Sequence, residues 1–98
     1  MTRMKPGAVL INTSRGPVVD NDALCDMLES GHLAGAGLDV FPQEPAIPEA
    51  LKHQSRAVLT PHVGSNTLQT RTIMAEALCR QILDVLAGRR PDHIVNGL

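Results

Sequence analysis

The sequence predicts an α/β chain built on a parallel sheet, ending in a long helix. Three observations predict it. Apolar runs recur at residues 8–11, 34–40 and 57–60. The first is continuous rather than alternating, as a strand covered on both faces is. The segments between them have helical spacing or several prolines and are too long for hairpins. Strand, crossover, strand in that order gives parallel pairing with right-handed crossovers.

Ala8-Val9-Leu10-Ile11 is the first strand, bounded by Pro6-Gly7 and by the polar Asn12-Thr13-Ser14. It is expected to be buried on both faces. Arg15-Gly16-Pro17 breaks it. Asp20 offers an N-cap oxygen to a helix whose Ala23, Leu24, Met27 and Leu28 share one face, and Gly31 stops that helix. Ala34 to Val40 is the second strand, rich in small residues that permit close approach. Pro42, Pro45 and Pro48 then force an irregular stretch, with one helical turn around Glu49-Ala50-Leu51. Ala57-Val58-Leu59-Thr60 is the third strand. Ser65 or Asn66 is expected to cap a helix from about Thr67 to Ala87, with Met74, Leu78, Ile82, Val85 and Leu86 on one stripe and Gly88 ending it before Pro91.

The bulk properties narrow the function. The chain has 98 residues, one domain or less. With 43% hydrophobic and 19% charged residues it is ordinary for a folded soluble chain. Phe41 is its only aromatic residue, so the core must be aliphatic. A net charge of −1, from 9 basic and 10 acidic residues, gives no reason to expect nucleic acid or an anionic membrane as partner. No apolar run approaches the roughly 20 residues that span a bilayer. Residues 1–6 have no signal-peptide core. Cys25 and Cys79, with no CxxC spacing, are expected to be buried thiols of a reducing compartment, and the chain cytoplasmic. His32, His53 and His93 suggest no metal site and are expected at the surface.

Ligands of open parallel sheets bind beyond the carboxyl ends of the strands. Those ends carry Asn12-Thr13-Ser14-Arg15, then Asp39 to Glu44, then Thr60-Pro61-His62. An arginine, an aspartate, a glutamate and a histidine are thus expected to converge on one crevice. Gly35-Ala36-Gly37 is not a phosphate-binding GxGxxG, because Val40 stands where the third glycine is needed.

Three segments carry a family resemblance: Lys5 to Gly16 (KPGAVLINTSRG), Gly35 to Phe41 (GAGLDVF) followed by Glu44-Pro45, and Leu59 to Gly64 (LTPHVG). In this order and spacing they resemble the D-isomer-specific 2-hydroxyacid dehydrogenases, and His62 to Thr67 leans toward the glyoxylate and hydroxypyruvate reductases. The resemblance implies the C-terminal portion of a doubly wound, Rossmann-like parallel-sheet domain followed by a long helix, with residues 1–98 forming part of an NAD(P)-binding domain. It implies catalytic roles for Arg15, Glu44 and His62. Arg15 holds the substrate carboxylate and polarises the keto oxygen, His62 is the acid–base group, and Glu44 pairs with it. Thr13, Ser14, Arg15, Asp39, His62 and Gly64 would line the cofactor, NAD or NADP, with Asp39 fixing the nicotinamide carboxamide.

The same resemblance implies a small 2-keto or 2-hydroxy acid as substrate and a homodimeric parent. The Gly-rich pyrophosphate turn, the ribose-binding acidic residue and the substrate lobe of such a parent have no counterpart in these 98 residues. The chain is therefore expected to be a fragment, inactive alone. Two other readings remain open: a dinucleotide-gated interaction module of the corepressor type, and an inactive truncated remnant.

Overall fold

A computed structural model describes residues 1–95. The chain divides into two units, Met1–Gly64 and the segment from Ser65 onward. The first holds a sheet of three parallel strands in the order β1-β2-β3. These are β1 (Ala8–Asn12), β2 (Leu33–Leu38) and β3 (Ala57–Leu59). A 3₁₀ turn, Gly16–Val18, and helix α1 (Asn21–Glu29) connect β1 to β2, and a proline-rich stretch with the single turn α2 (Glu49–Lys52) connects β2 to β3. The expected parallel order of strands is present.

Local chemistry sets the boundaries. Asp20 caps α1 by accepting the Ala23 N–H at 3.1 Å. Gly31 ends it with φ +74°, a conformation that costs an L side chain on the order of 1 kcal/mol. Leu24 and Leu28 of α1 are buried at 0% and 1% exposure. They pack with Leu33, Ala36 and Leu38 of β2 and with Phe41 and Leu51. Each buried leucine contributes about 1.5–3 kcal/mol of transfer free energy, and this cluster sets the sheet against α1.

β1 corrects one expectation. Leu10 faces that cluster, but Val9 and Ile11 are 59% and 66% exposed. Only one face of the strand is covered. Val58 on β3, at 69% exposure, lies on the same uncovered side, and Ile11 and Val58 both pair with Gly37. The glycines of β2 serve close strand packing. A Cβ on Gly37 would stand 2.8 Å from Ile11 Cδ1, and one on Gly35 would stand 3.1 Å from the Arg56 carbonyl oxygen.

The second unit is helix α3 (Leu68–Leu86) and the segment after it. Its cap is Thr67, not Ser65 or Asn66: Thr67 is extended and its Oγ1 accepts the Thr70 N–H at 3.1 Å. Ser65 instead uses its carbonyl to accept the Thr67 N–H, tightening the turn before the helix. Gly88, with φ +69°, follows the helix end. The stripe of Met74, Leu78, Ile82, Val85 and Leu86 is present, yet no residue of α3 is buried.

Two smaller expectations also change. Cys79, on α3, is exposed, whereas Cys25 is buried in the α1 face. Burial pushes the Cys25 thiol up, and Glu29, Asp22 and Asp26 add to the effect. His32 is half-buried rather than free at the surface, with Nε2 2.9 Å from the Met4 carbonyl oxygen. His53 and His93 are exposed. Among the described residues no helix is long and apolar enough to cross a membrane.

Candidate active site

The carboxyl ends of the three strands supply the site. After β1, Asn12 folds the chain back on itself. Its Oδ1 accepts the Ser14 N–H at 3.1 Å and the Ser14 hydroxyl at 2.8 Å, and its Nδ2 donates to the Arg15 carbonyl at 3.1 Å. Arg15 follows with an exposed side chain whose Nη1 donates to the Ser14 carbonyl at 2.6 Å. Gly16 is buried, and a Cβ there would overlap the Phe41 carbonyl group. The arginine loop and the chain after β2 thus meet backbone to backbone, a contact only glycine permits.

After β2, Asp39 is 6% exposed. Its Oδ1 accepts the Thr60 hydroxyl at 2.5 Å and the Val63 N–H at 2.9 Å, and its Oδ2 accepts the Gly64 N–H at 2.8 Å. These bonds, led by the one from Thr60, hold its carboxyl below the usual range. Between the anchored residues stands His62 with φ +53°, a left-handed backbone that histidine tolerates better than most side chains but still at a cost. The three hydrogen bonds to Asp39 hold that conformation in place.

Glu44 is used at both oxygens. Oε1 accepts the Phe41 N–H at 2.9 Å, and Oε2 lies 2.6 Å from His62 Nδ1. The hydrogen bond from His62 comes first among the causes that draw the Glu44 carboxyl below its ordinary range, followed by the Phe41 N–H, with the His62 and Arg15 charges adding smaller effects. An ionised carboxylate only accepts, so Nδ1 carries the proton and Nε2 is left to exchange one with a ligand. The pair is partly open, with side-chain exposures of 34% for Glu44 and 43% for His62. Beside it is a cavity of about 280 Å³ lined by Phe41, Glu44, Pro45, Ile47, Pro61 and His62. The Glu44–Pro45 peptide is cis.

The structure therefore brings Arg15, Asp39, Glu44 and His62 to neighbouring strand ends, with Thr13, Ser14 and Gly64 in the same loops. Thr13 is exposed, and the Ser14 hydroxyl is taken up by Asn12. Sequence reasoning put Asn12 and Thr60 at the strand ends without giving either a role, and missed Gly16 as part of the site. Asn12 had a readable signal: an Asn two residues before Ser, at the end of an apolar run, is the pattern of an Asx turn. The contact of Gly16 with Phe41 had none, being tertiary. Among the described residues no three His, Cys, Asp or Glu side chains gather in a metal-binding arrangement.

A parallel sheet with a guanidinium, a buried carboxylate and an imidazole–carboxylate pair at its carboxyl edge has the ligand-binding edge of an open α/β domain. Comparison makes the class specific. The D-isomer specific 2-hydroxyacid dehydrogenase, NAD binding domain, matches residues 1–64, and the chain belongs to this family. The glyoxylate reductase of Thermococcus litoralis is 48% identical over 93 residues, covering 95% of this chain and 28% of that protein. The TT0316 protein of Thermus thermophilus superposes with a TM-score of 0.84 at 49% identity, over 94% of this chain and 30% of that one. The NADPH-dependent glyoxylate/hydroxypyruvate reductase of Sinorhizobium meliloti, in complex with NADP and malonate, gives a TM-score of 0.77 at 44% identity, over 82% of this chain and 25% of that one. The chain thus spans under a third of the length of these relatives.

Proposed function

We propose that residues 1–98 are the catalytic part of the dinucleotide-binding domain of a reductase that converts a small 2-keto acid, such as glyoxylate or hydroxypyruvate, to its D-2-hydroxy acid. The observation that carries this reading is the Glu44–His62 pair, 2.6 Å apart, at the strand edge where Arg15 also stands. The names of the relatives support the substrate class. A homodimeric, cytoplasmic parent is part of the same proposal, and either NAD or NADP serves as cofactor.

The residues present fit a nicotinamide. A carboxylate offers about four acceptor positions, and Asp39 uses three of them on Thr60, Val63 and Gly64. The remaining one, on Oδ2, suits the amide N–H of a carboxamide. The bound cofactor supplies the hydride that forms the new C–H bond at the keto carbon. His62 delivers a proton from Nε2 to the keto oxygen as its double bond to carbon becomes single, while Glu44 stabilises the protonated ring. Arg15 binds the substrate carboxylate and withdraws charge from the reacting oxygen through its planar fork of donors.

A segment exchange tests this. Residues 1–98 replace the matching segment of the Thermococcus litoralis glyoxylate reductase, and oxidation of NADH and NADPH is followed with glyoxylate and hydroxypyruvate. Turnover is expected, with His62→Ala lowering it by about 10²–10⁴-fold, the span of general acid–base groups. A chimera that folds and binds cofactor yet loses nothing on His62→Ala would refute the reading.

A further inference from the structure

Arg15 is useful only if its guanidinium starts from a fixed place, and its side chain alone does not fix it. The residue is exposed, and among the described residues its side chain has one hydrogen bond, to the neighbouring Ser14 carbonyl. The backbone beneath it is better held. We propose that Asn12 is the positioning residue for Arg15, its carboxamide bracing the loop from the buried side so that the guanidinium is presented to a ligand carboxylate. This rests on the reading of Arg15 as the carboxylate-binding group.

Three observations converge. Asn12 is 5% exposed, at the last rung of β1, where its carbonyl accepts the Asp39 N–H at 3.0 Å. Its backbone is therefore anchored to the sheet, with the side chain buried against it. Its carboxamide uses both ends, accepting twice from Ser14 and donating once to the Arg15 carbonyl. That carbonyl also accepts the Val18 N–H at 3.1 Å, opening the 3₁₀ turn, and Gly16 rests on the Phe41 backbone. Arg15 is thus braced on both sides. Only an amide of this length both accepts and donates here. A carboxylate lacks the donor, and a serine or threonine hydroxyl cannot span the loop.

The chemistry supplies a variant with a pH control. Asn12→Asp keeps the shape and the two bonds accepted from Ser14, loses the donor to Arg15, and at neutral pH sets a carboxylate oxygen against the Arg15 carbonyl. Ser14→Ala is the control, removing a hydroxyl bond while leaving the Asn12–Arg15 bond in place. The test is ¹⁵N relaxation on the 98-residue chain, with oxalate titrated and followed at Arg15 Nε. In the unaltered chain and in Ser14→Ala, the Arg15 and Gly16 amides should have order parameters near about 0.85, as Leu24 does. In Asn12→Asp at neutral pH they should fall below about 0.6 with Leu24 unchanged. The oxalate affinity should drop about two- to tenfold, the loss of one modest hydrogen bond.

Order parameters at Arg15 and Gly16 that stay high in Asn12→Asp overturn the proposal. If Leu24 is also mobilised, the acid arm decides. At about pH 4, near the ordinary aspartate value, the introduced carboxyl regains a proton and can donate. Recovery of a rigid Arg15 then supports the brace, and a chain that stays mobile overturns it, since Asn12 would then be serving general stability. An unaltered chain in which oxalate leaves Arg15 unmoved counts against the carboxylate reading and leaves the relaxation result to judge the brace.

Discussion

Glu44 holds His62 with one oxygen, Oε2 to Nδ1 at 2.6 Å, while its other oxygen accepts the Phe41 N–H at 2.9 Å. The histidine's partner is therefore fixed to a backbone whose own position is set by Gly16. The expected result of Gly16→Ala follows. The added methyl would overlap the Phe41 carbonyl group, so the backbone of one loop must move. Stability should fall by about 1–3 kcal/mol or more, the usual cost of overpacking. The Nδ1–H resonance of His62, downfield when bonded to a carboxylate, should broaden or vanish. Thermal denaturation with ¹H NMR of the imidazole region checks both.

Asp39 should report itself in the acid stability profile. Its folded carboxyl titrates below the ordinary range because Thr60, Val63 and Gly64 donate to the charged form. A carboxyl depressed in this way contributes stability that is present above its unfolded value and is lost as pH falls through the folded one. Asp39→Asn should therefore melt lower than the unaltered chain at neutral pH, and the gap should close as the pH drops below the ordinary aspartate range. A gap that stays constant down to pH about 2, beneath that range, would mean the carboxylate charge is not what holds the loop of residues 60–64.

The uncovered side of the sheet, with Val9, Ile11 and Val58 each more than half exposed, should make the isolated chain associate. β1 is also an edge of the three-stranded sheet, with backbone groups open to pairing. Sedimentation velocity should give a weight-average mass that rises with concentration. Ile11→Lys should lower that rise with little change in melting temperature, since Ile11 is 66% exposed. A chain that remains monomeric at all concentrations would show that this face is tolerated by itself.

Most of the fold was legible because its signals are local. The apolar runs, the Asp20 cap, the Gly31 and Gly88 stops and the prolines each act within a few residues, and the elements fall where these place them. The candidate site was legible because strand ends of a parallel sheet carry ligands, which put Arg15, Asp39, Glu44 and His62 along one edge. What escaped was tertiary. A continuous apolar run states that a strand can be covered on both faces and not that it is, hence the exposure of Val9 and Ile11 against expectation. The burial of Cys25 and exposure of Cys79 depend on what packs against each helix. The brace at Asn12 and the Gly16–Phe41 contact depend on loop geometry that no periodicity encodes.

The carboxylate-binding role proposed for Arg15 has a separate test in the segment exchange. Arg15→Lys keeps the positive charge but replaces the planar donor set by an ammonium. The Michaelis constant for glyoxylate should rise and turnover should fall together, by about tenfold or more for each lost charge-assisted hydrogen bond of about 1.5–3 kcal/mol. An unchanged Michaelis constant in Arg15→Lys would remove Arg15 from substrate binding and leave it a surface charge.

The pH–rate profile of Glu44→Gln in the same chimera tests the role of the Glu44–His62 pair most directly. Glutamine keeps the shape and, with its one oxygen turned to the His62 Nδ1–H, an acceptor there; it gives up the bond from the Phe41 N–H and removes the negative charge that favours the protonated ring. Keto-acid reduction by Glu44→Gln should therefore lose activity at lower pH than the parent, with the alkaline limb displaced toward acid and the plateau only mildly reduced. Superimposable limbs in parent and variant would contradict that role, because the 2.6 Å contact between Glu44 and His62 would then be a structural pairing with no part in proton transfer.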